Sequence, residues 1–191
     1  FGLEGPFRKG GASSYIAAYR YSFTGLLEQL GVNLKESANY QDLSFKLHFP
    51  TKKAGTFSLT GLGGLSGIAL TESDKSRDQW TFENHGEDLR SSNVMGTLGL
   101  SHLYFFNENT RIQSYLSAMT SGIETTIDTF DLSVQPFRWA GEKSQENRIS
   151  FSSSLMRKFD ARNSLEAGLG YDLYFSSYAD SQYVHHAYIR Y

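Results

Sequence analysis

Residues 164–175 read SLEAGLGYDLYF, and taking every second position splits them into two sets. Leu165, Ala167, Leu169, Tyr171, Leu173 and Phe175 are apolar; Ser164, Glu166, Gly168, Gly170, Asp172 and Tyr174 are polar, small or amphipathic. Period two means a strand, because successive side chains point to opposite faces of a pleated sheet. Strands in soluble domains usually run about five or six residues. A tilted strand needs about ten to cross a bilayer. The apolar side of such a strand is therefore either a protein core or a lipid-facing surface.

The pattern recurs along the chain. Residues 1–8 alternate, with Pro6 marking an edge position because proline cannot donate to a ladder. Residues 13–23 place Tyr15, Ala17, Tyr19, Tyr21 and Phe23 against Ser14, Ile16, Ala18, Arg20 and Ser22. Residues 39–49 set Leu43, Phe45, Leu47 and Phe49 against Asp42, Ser44, Lys46 and His48. Residues 56–70 make a glycine-rich strand, 94–107 and 111–127 two strands with mixed faces, and 147–159 a strand carrying Ile149, Phe151 and Leu155 on one side. Arg157 is the charge on that apolar side, near the strand end, where it can snorkel to an interface. A last strand starts at Tyr183, after a polar break at 179–182. Residues 24–33 lose the period, and Leu26, Leu27 and Leu30 with Thr24 as a cap predict one or two helical turns.

Connections alternate in length. Short turns are expected at 9–12, 50–55, 107–110 and 160–163, and long polar segments at 71–92 and 131–146. Short turns on one rim and long loops on the other describe an up-and-down transmembrane barrel. Tyr and Phe also concentrate near strand ends, where an interfacial aromatic girdle belongs. The fold class expected is all-β, an antiparallel up-and-down transmembrane β-barrel or part of one, with about nine long strands and one domain over residues 1–191.

Composition closes off other classes. Three prolines against eighteen glycines, fourteen phenylalanines and twelve tyrosines suit long strands. The absence of cysteine excludes disulfides and thiolate metal sites, and a net charge of −2 points to no nucleic-acid partner. No apolar run approaches the roughly 20 residues of a membrane helix. A mean hydropathy of −0.41 ordinarily marks a soluble chain, but a membrane barrel escapes that test because half of each strand faces a polar interior. The chain opens on Phe1 inside an alternating pattern, so a mature fragment of something larger is the expectation.

Chemistry-bearing motifs are sparse. His185 and His186 are adjacent on a strand and point to opposite faces, so they cannot ligate a metal together. His85 lies among Glu83, Glu87 and Asp88 without the spacing of a calcium loop. The glycines at 61, 63, 64 and 67 lie inside a strand pattern, not before a helix, so they are no nucleotide loop. No catalytic triad spacing, metal site or cofactor is expected. Trp80, Phe82, Phe137 and Trp139, in the long segments, are the candidates for stacking on a ligand.

Phe1-Gly2-Leu3-Glu4-Gly5-Pro6-Phe7 is followed by a turn, then by Tyr19-Arg20-Tyr21-Ser22, a Leu-rich excursion, and Tyr40-Gln41-Asp42-Leu43-Ser44-Phe45-Lys46. This order of segments resembles the opening of the barrel of TonB-dependent outer-membrane receptors. The subgroup resembled carries a carboxypeptidase-regulatory-like domain before the plug. It implies a barrel of about 22 strands with a plugged lumen, membrane lipid, the remaining strands and plug as partners, coupling to a TonB complex, and uptake of a scarce small-molecule, peptide or glycan ligand across the outer membrane of a Gram-negative bacterium, with no enzymatic reaction. This chain departs from that pattern in having no plug, no TonB box and no C-terminal barrel strand. Three other readings stay open. One is a small self-contained outer-membrane barrel. Another is an outer-membrane hydrolase barrel using His48, His102 or His185. The last is a soluble β-sandwich binding module. The terminal segments 1–8 and 183–191 are expected to pair with further strands or with each other, since open edges are not tolerated in lipid.

Overall fold

A computed structural model describes residues 1–22, 24, 30–31, 36–73, 86–129, 137–184 and 187–190. Nine strands make up the elements described: β1 (Gly2–Pro6), β2 (Ser14–Tyr21), β3 (Glu36–Pro50), β4 (Thr56–Leu70), β5 (Glu87–Asn107), β6 (Thr110–Thr129), β7 (Phe137–Lys158), β8 (Ser164–Val184) and β9 (Ala187–Arg190). They form one antiparallel sheet in the order of the chain, β1 to β9. Each strand pairs only with its sequence neighbours, the up-and-down arrangement that the alternation predicts. A sandwich would need a second sheet over the first, and all nine strands lie in one. The sheet is open. β1 pairs with β2 and β9 with β8, so among the described residues the two terminal segments do not pair with each other. The predicted helical turns at 24–33 lie outside the described residues except at 24, 30 and 31.

Register sorts the side chains. One face carries Tyr15, Leu47, Leu59, Leu100, Leu116, Phe151 and Tyr171 in a row of paired residues across seven strands. The next row on that face is Ala17, Phe45, Gly61, Leu98, Ala118, Ile149 and Leu173. The opposite face carries Arg20, Asp42, Ser44, Lys46, His48, Ser150, Ser152, Glu166 and Asp172. The mixed faces of β5 and β6 are resolved by this register: Leu98, Leu100, Leu116 and Ala118 join the apolar rows, and Met95, Tyr115 and Met119 fall on the polar face.

The strands outrun their sequence signal. Residues 87–92, 137–146 and 179–182 read as polar connections or as a break, yet they lie in the far ends of β5, β7 and β8. Both faces are polar there, so periodicity is silent. What holds them is the ladder itself, which pairs Glu87 with Thr129 and Ala140 with Gln182. A register shift at Ile127/Asp128 bends β6 against β7 near the end of this extension.

The short turns are built from local chemistry. Gly55 has φ of 81°, a left-handed conformation that glycine takes without a steric penalty. A Cβ there would lie 2.3 Å from the carbonyl oxygen of Leu103. In the turn from β7 to β8, Asp160 accepts backbone N–H groups of Arg162 and Asn163 at 2.7 and 2.8 Å. The Asn163 amide donates to both carboxylate oxygens. These bonds, Asn163 first, hold the Asp160 carboxyl below the ordinary carboxylate range.

No hydrophobic side chain is buried among the described residues. The accessible surface is 13960 Å². A compact soluble monomer of this mass, 21.5 kDa, would expose about 9,200 Å². One uncovered sheet has no interior, and its apolar rows are left exposed by this chain's own described residues.

Candidate functional site

The apolar face changes character along the strands. In β7 it is free of charge from Leu155 to Gln145, and in β5 from Tyr104 to Val94. Toward the long-connection end the same face becomes polar, with Ser92, Arg90, Glu124 and Lys143. Lys143 pairs with Glu124 at 2.9 Å across β6 and β7. At this boundary Thr120 donates to Asn147 at 2.8 Å, and Gln145 donates to Thr120 at 2.8 Å. A depression of about 550 Å³ lies over these residues, lined by Gln41, Val94, Glu124, Lys143 and Gln145 among others.

At the short-turn end aromatic rings line up across the strands. Phe7 lies 5.2 Å from Tyr15 and 5.3 Å from Phe49. Phe57 stacks on His102 at 4.3 Å, and Tyr104 meets Phe106 edge-on at 5.0 Å. Arg157 holds its guanidinium over Phe159, 5.4 Å from the ring centre. His102 donates through Nε2 to the Ala54 carbonyl at 2.7 Å, which fixes its tautomer.

Beyond the charge-free zone an ionic chain crosses the sheet. Arg138 bonds Asp128, Asp128 meets Arg90 at 3.4 Å, and Arg90 approaches Asp88 at 4.0 Å. Asp88 is buried. It accepts the backbone N–H of Glu72 and of Ser73 at 2.8 and 3.0 Å, and the Ser73 hydroxyl at 2.6 Å. That carboxylate clamps the two ends of the β4–β5 connection one step past the last ladder pair, Leu70 with Leu89.

Of the candidate ligand-stacking residues, Trp80 and Phe82 lie outside the described residues. Phe137 and Trp139 are brought together by Tyr183 of β8, whose ring is 5.0 Å from Phe137 and 6.3 Å from Trp139. The expected last strand starting at Tyr183 after a break at 179–182 is not what forms: β8 runs unbroken through Tyr183 to Val184 and so brings its ring to β7. The three rings cluster at the long-connection rim, where the Arg138 guanidinium is engaged by Asp128, and aromatic faces of this kind can stack on a planar or ring-shaped ligand.

The histidines give little chemistry. His85, His185 and His186 lie outside the described residues. His48 shares a hydrogen bond with Ser58 through Nδ1, at 3.0 Å, on the polar face. The residues are ten apart in sequence, and only the β3–β4 register reveals the pairing. Ser58 is buried at 9% exposure, so its hydroxyl is poorly placed to attack a substrate. Among the described residues no three His, Asp or Glu side chains gather to hold a metal ion. On the polar face Arg20 pairs with Asp42 at 2.9 Å, and Arg148 pairs with Asp172 at 3.0 Å while lying over the Tyr174 ring. No protein-family model, curated protein or solved structure matches the chain.

Proposed function

We propose that this chain is a section of the wall of a TonB-dependent outer-membrane receptor, serving the uptake of a scarce ligand and carrying no enzymatic reaction. The observation that carries the membrane part is the charge-free apolar zone on one face of a sheet that has no core. Its ten residue-to-residue rises of about 3.4 Å span roughly 34 Å. Tilted by about 40°, they cover roughly 26 Å of depth, against an apolar band of about 25 Å in outer-membrane barrels. The aromatic row at one border and the Glu124–Lys143 pair at the other fit the two interfaces. On this reading the apolar rows meet lipid, the face with Arg20–Asp42 and Arg148–Asp172 lines a crowded lumen, and the long-connection rim with Phe137, Trp139 and Tyr183 meets the ligand. The receptor part rests on the order of segments from Phe1 to Lys46.

The chain lacks cysteine, so single cysteines report cleanly. In isolated outer membranes, Leu98→Cys and Leu169→Cys are expected to resist a membrane-impermeant maleimide, and Lys143→Cys to react. Equal labelling of all three in intact membranes would overturn the lipid-facing assignment. The receptor part is checked by growth on a panel of single nutrients. Strains lacking TonB and strains lacking this chain should share a defect, and a chain-deleted strain whose defects all persist outside the TonB set refutes it.

A further inference from the structure

Two depressions follow each other along the apolar face of β4 to β7. The first, of about 550 Å³, is the polar one over Glu124 and Lys143. The second, of about 600 Å³, begins at the next residues along each strand and is lined by Phe45, Gly96, Leu98, Ala118 and Ile149 among others. Every second residue of β7 from Lys143 through Gln145 and Asn147 to Ile149 lines one or the other. Six rises of about 3.4 Å make that path roughly 20 Å long. Charge stands at one end, uncharged hydrogen-bonding groups in the middle and hydrocarbon at the other end. An amphiphile has the same three parts in the same order.

The charged end selects a headgroup. Lys143 and Glu124 stand 2.9 Å apart, and their side chains keep 67% and 51% of their surface exposed. An exposed pair of this kind is weakly held. Each partner has capacity left, since an ammonium has three donors and a carboxylate two acceptor oxygens. A cation beside an anion complements a zwitterion, with a phosphate over Lys143 and an ammonium over Glu124. The carboxylate favours a primary ammonium, which donates N–H, over a quaternary one, which has none to donate. In the middle, the Asn147 Oδ1 accepts from Thr120 at 2.8 Å and from Gln145 at 3.4 Å. Its amide N–H groups, without a partner among the described residues, are left to donate to ester carbonyls. We infer that this face holds one glycerophospholipid with a phosphoethanolamine headgroup. Its phosphate and amine meet Lys143 and Glu124, its glycerol esters meet Asn147, and an acyl chain lies in the depression over Gly96 and Ala118. The site rests on the lipid-facing reading of the apolar rows; the headgroup preference goes beyond it, since a wall alone takes any membrane lipid.

The test is native mass spectrometry of the full chain in non-ionic detergent. The chain is offered an equimolar mixture of phosphatidylethanolamine, phosphatidylcholine and phosphatidylglycerol with identical acyl chains, and in a second run lipid A against phosphatidylethanolamine. One phosphatidylethanolamine per chain should be retained, about fivefold or more above each competitor. Glu124→Gln should erase the preference over phosphatidylglycerol, and Lys143→Gln should lower retention of all three phospholipids. Ala118→Phe, which fills the apolar depression and leaves the charged pair in place, should also lower all three. Heat-modifiable gel mobility shows that each variant is folded. Equal retention of the three phospholipids by the unaltered chain, or preference for the choline lipid, the anionic lipid or lipid A, overturns the site. So does a preference that survives both Glu124→Gln and Lys143→Gln. If Leu98→Cys and Leu169→Cys still resist the maleimide in membranes, the wall reading outlives that failure; if they label like Lys143→Cys, both fall.

Discussion

Replacing Leu169 by arginine separates a lipid-facing surface from a water-facing one by the size of the loss. Leu169 is 64% exposed and lies on the apolar face, paired with Ser153 across the β7–β8 ladder. The apolar run of β8 extends from Leu165 to Phe175, so Leu169 is one residue from its middle. With a rise of about 3.4 Å and a tilt of about 40°, that puts it roughly 3 Å from the midplane, and Phe175 roughly 13 Å away. An arginine near the midplane of a barrel's lipid face costs about 2–4 kcal/mol, and near the interface about 0–1. The ratio of folded to unfolded chain should therefore fall by roughly 30- to 900-fold for Leu169→Arg and by less than about sixfold for Phe175→Arg. Were the same face in water, an exposed leucine would be exchanged for a soluble side chain, with an effect within about 0.5 kcal/mol. Ser152→Arg on the polar face is the control. The assay is urea titration of the protein in phospholipid vesicles, with the folded fraction read from heat-modifiable gel mobility. A Leu169→Arg loss no larger than that of Ser152→Arg or Phe175→Arg would refute the depth argument.

Three further outcomes are expected. Gly55→Ala should cost more than about 2 kcal/mol in the same titration, because it combines a left-handed backbone with a clash on the Leu103 carbonyl, while Gly10→Ala, with φ of 73° and open space around it, should cost about 1; equal losses would show that the clash is relieved freely. Asp88→Ala should destabilise by about 2–3 kcal/mol, since a buried carboxylate and its three donors lose each other, with Asp88→Asn intermediate; a neutral alanine variant would remove the clamp. The Asp160 carboxyl is held below its ordinary value in the folded turn, so its stabilising contribution is present above the unfolded carboxylate range near pH 4 and is lost as pH falls through the lower folded value. Asp160→Asn should flatten that part of the acid limb of stability, and an unchanged limb would contradict the turn chemistry.

Much of the fold was legible because period two is strongest where one face is apolar. Residues 164–175 and 39–49 declare their faces without help from neighbours. Period two falls silent where polar residues occupy both faces, and so the ends of β5, β7 and β8 read as connections although their ladders continue. The contact between His48 and Ser58 and the gathering of Phe137 and Trp139 around Tyr183 depend on inter-strand register, which no single strand encodes. Trp80 and Phe82, placed in a long connection by their polar surroundings, lie outside the described residues.

The meander order has a consequence for how the sheet is made. Every ladder joins segments adjacent in the chain, so no pairing waits for a distant part of the polypeptide. Loop closure is cheapest across tight links such as Asn107–Thr110, where β5 and β6 meet. Hairpins can therefore zip from their short turns, and each finished hairpin is the template for the next.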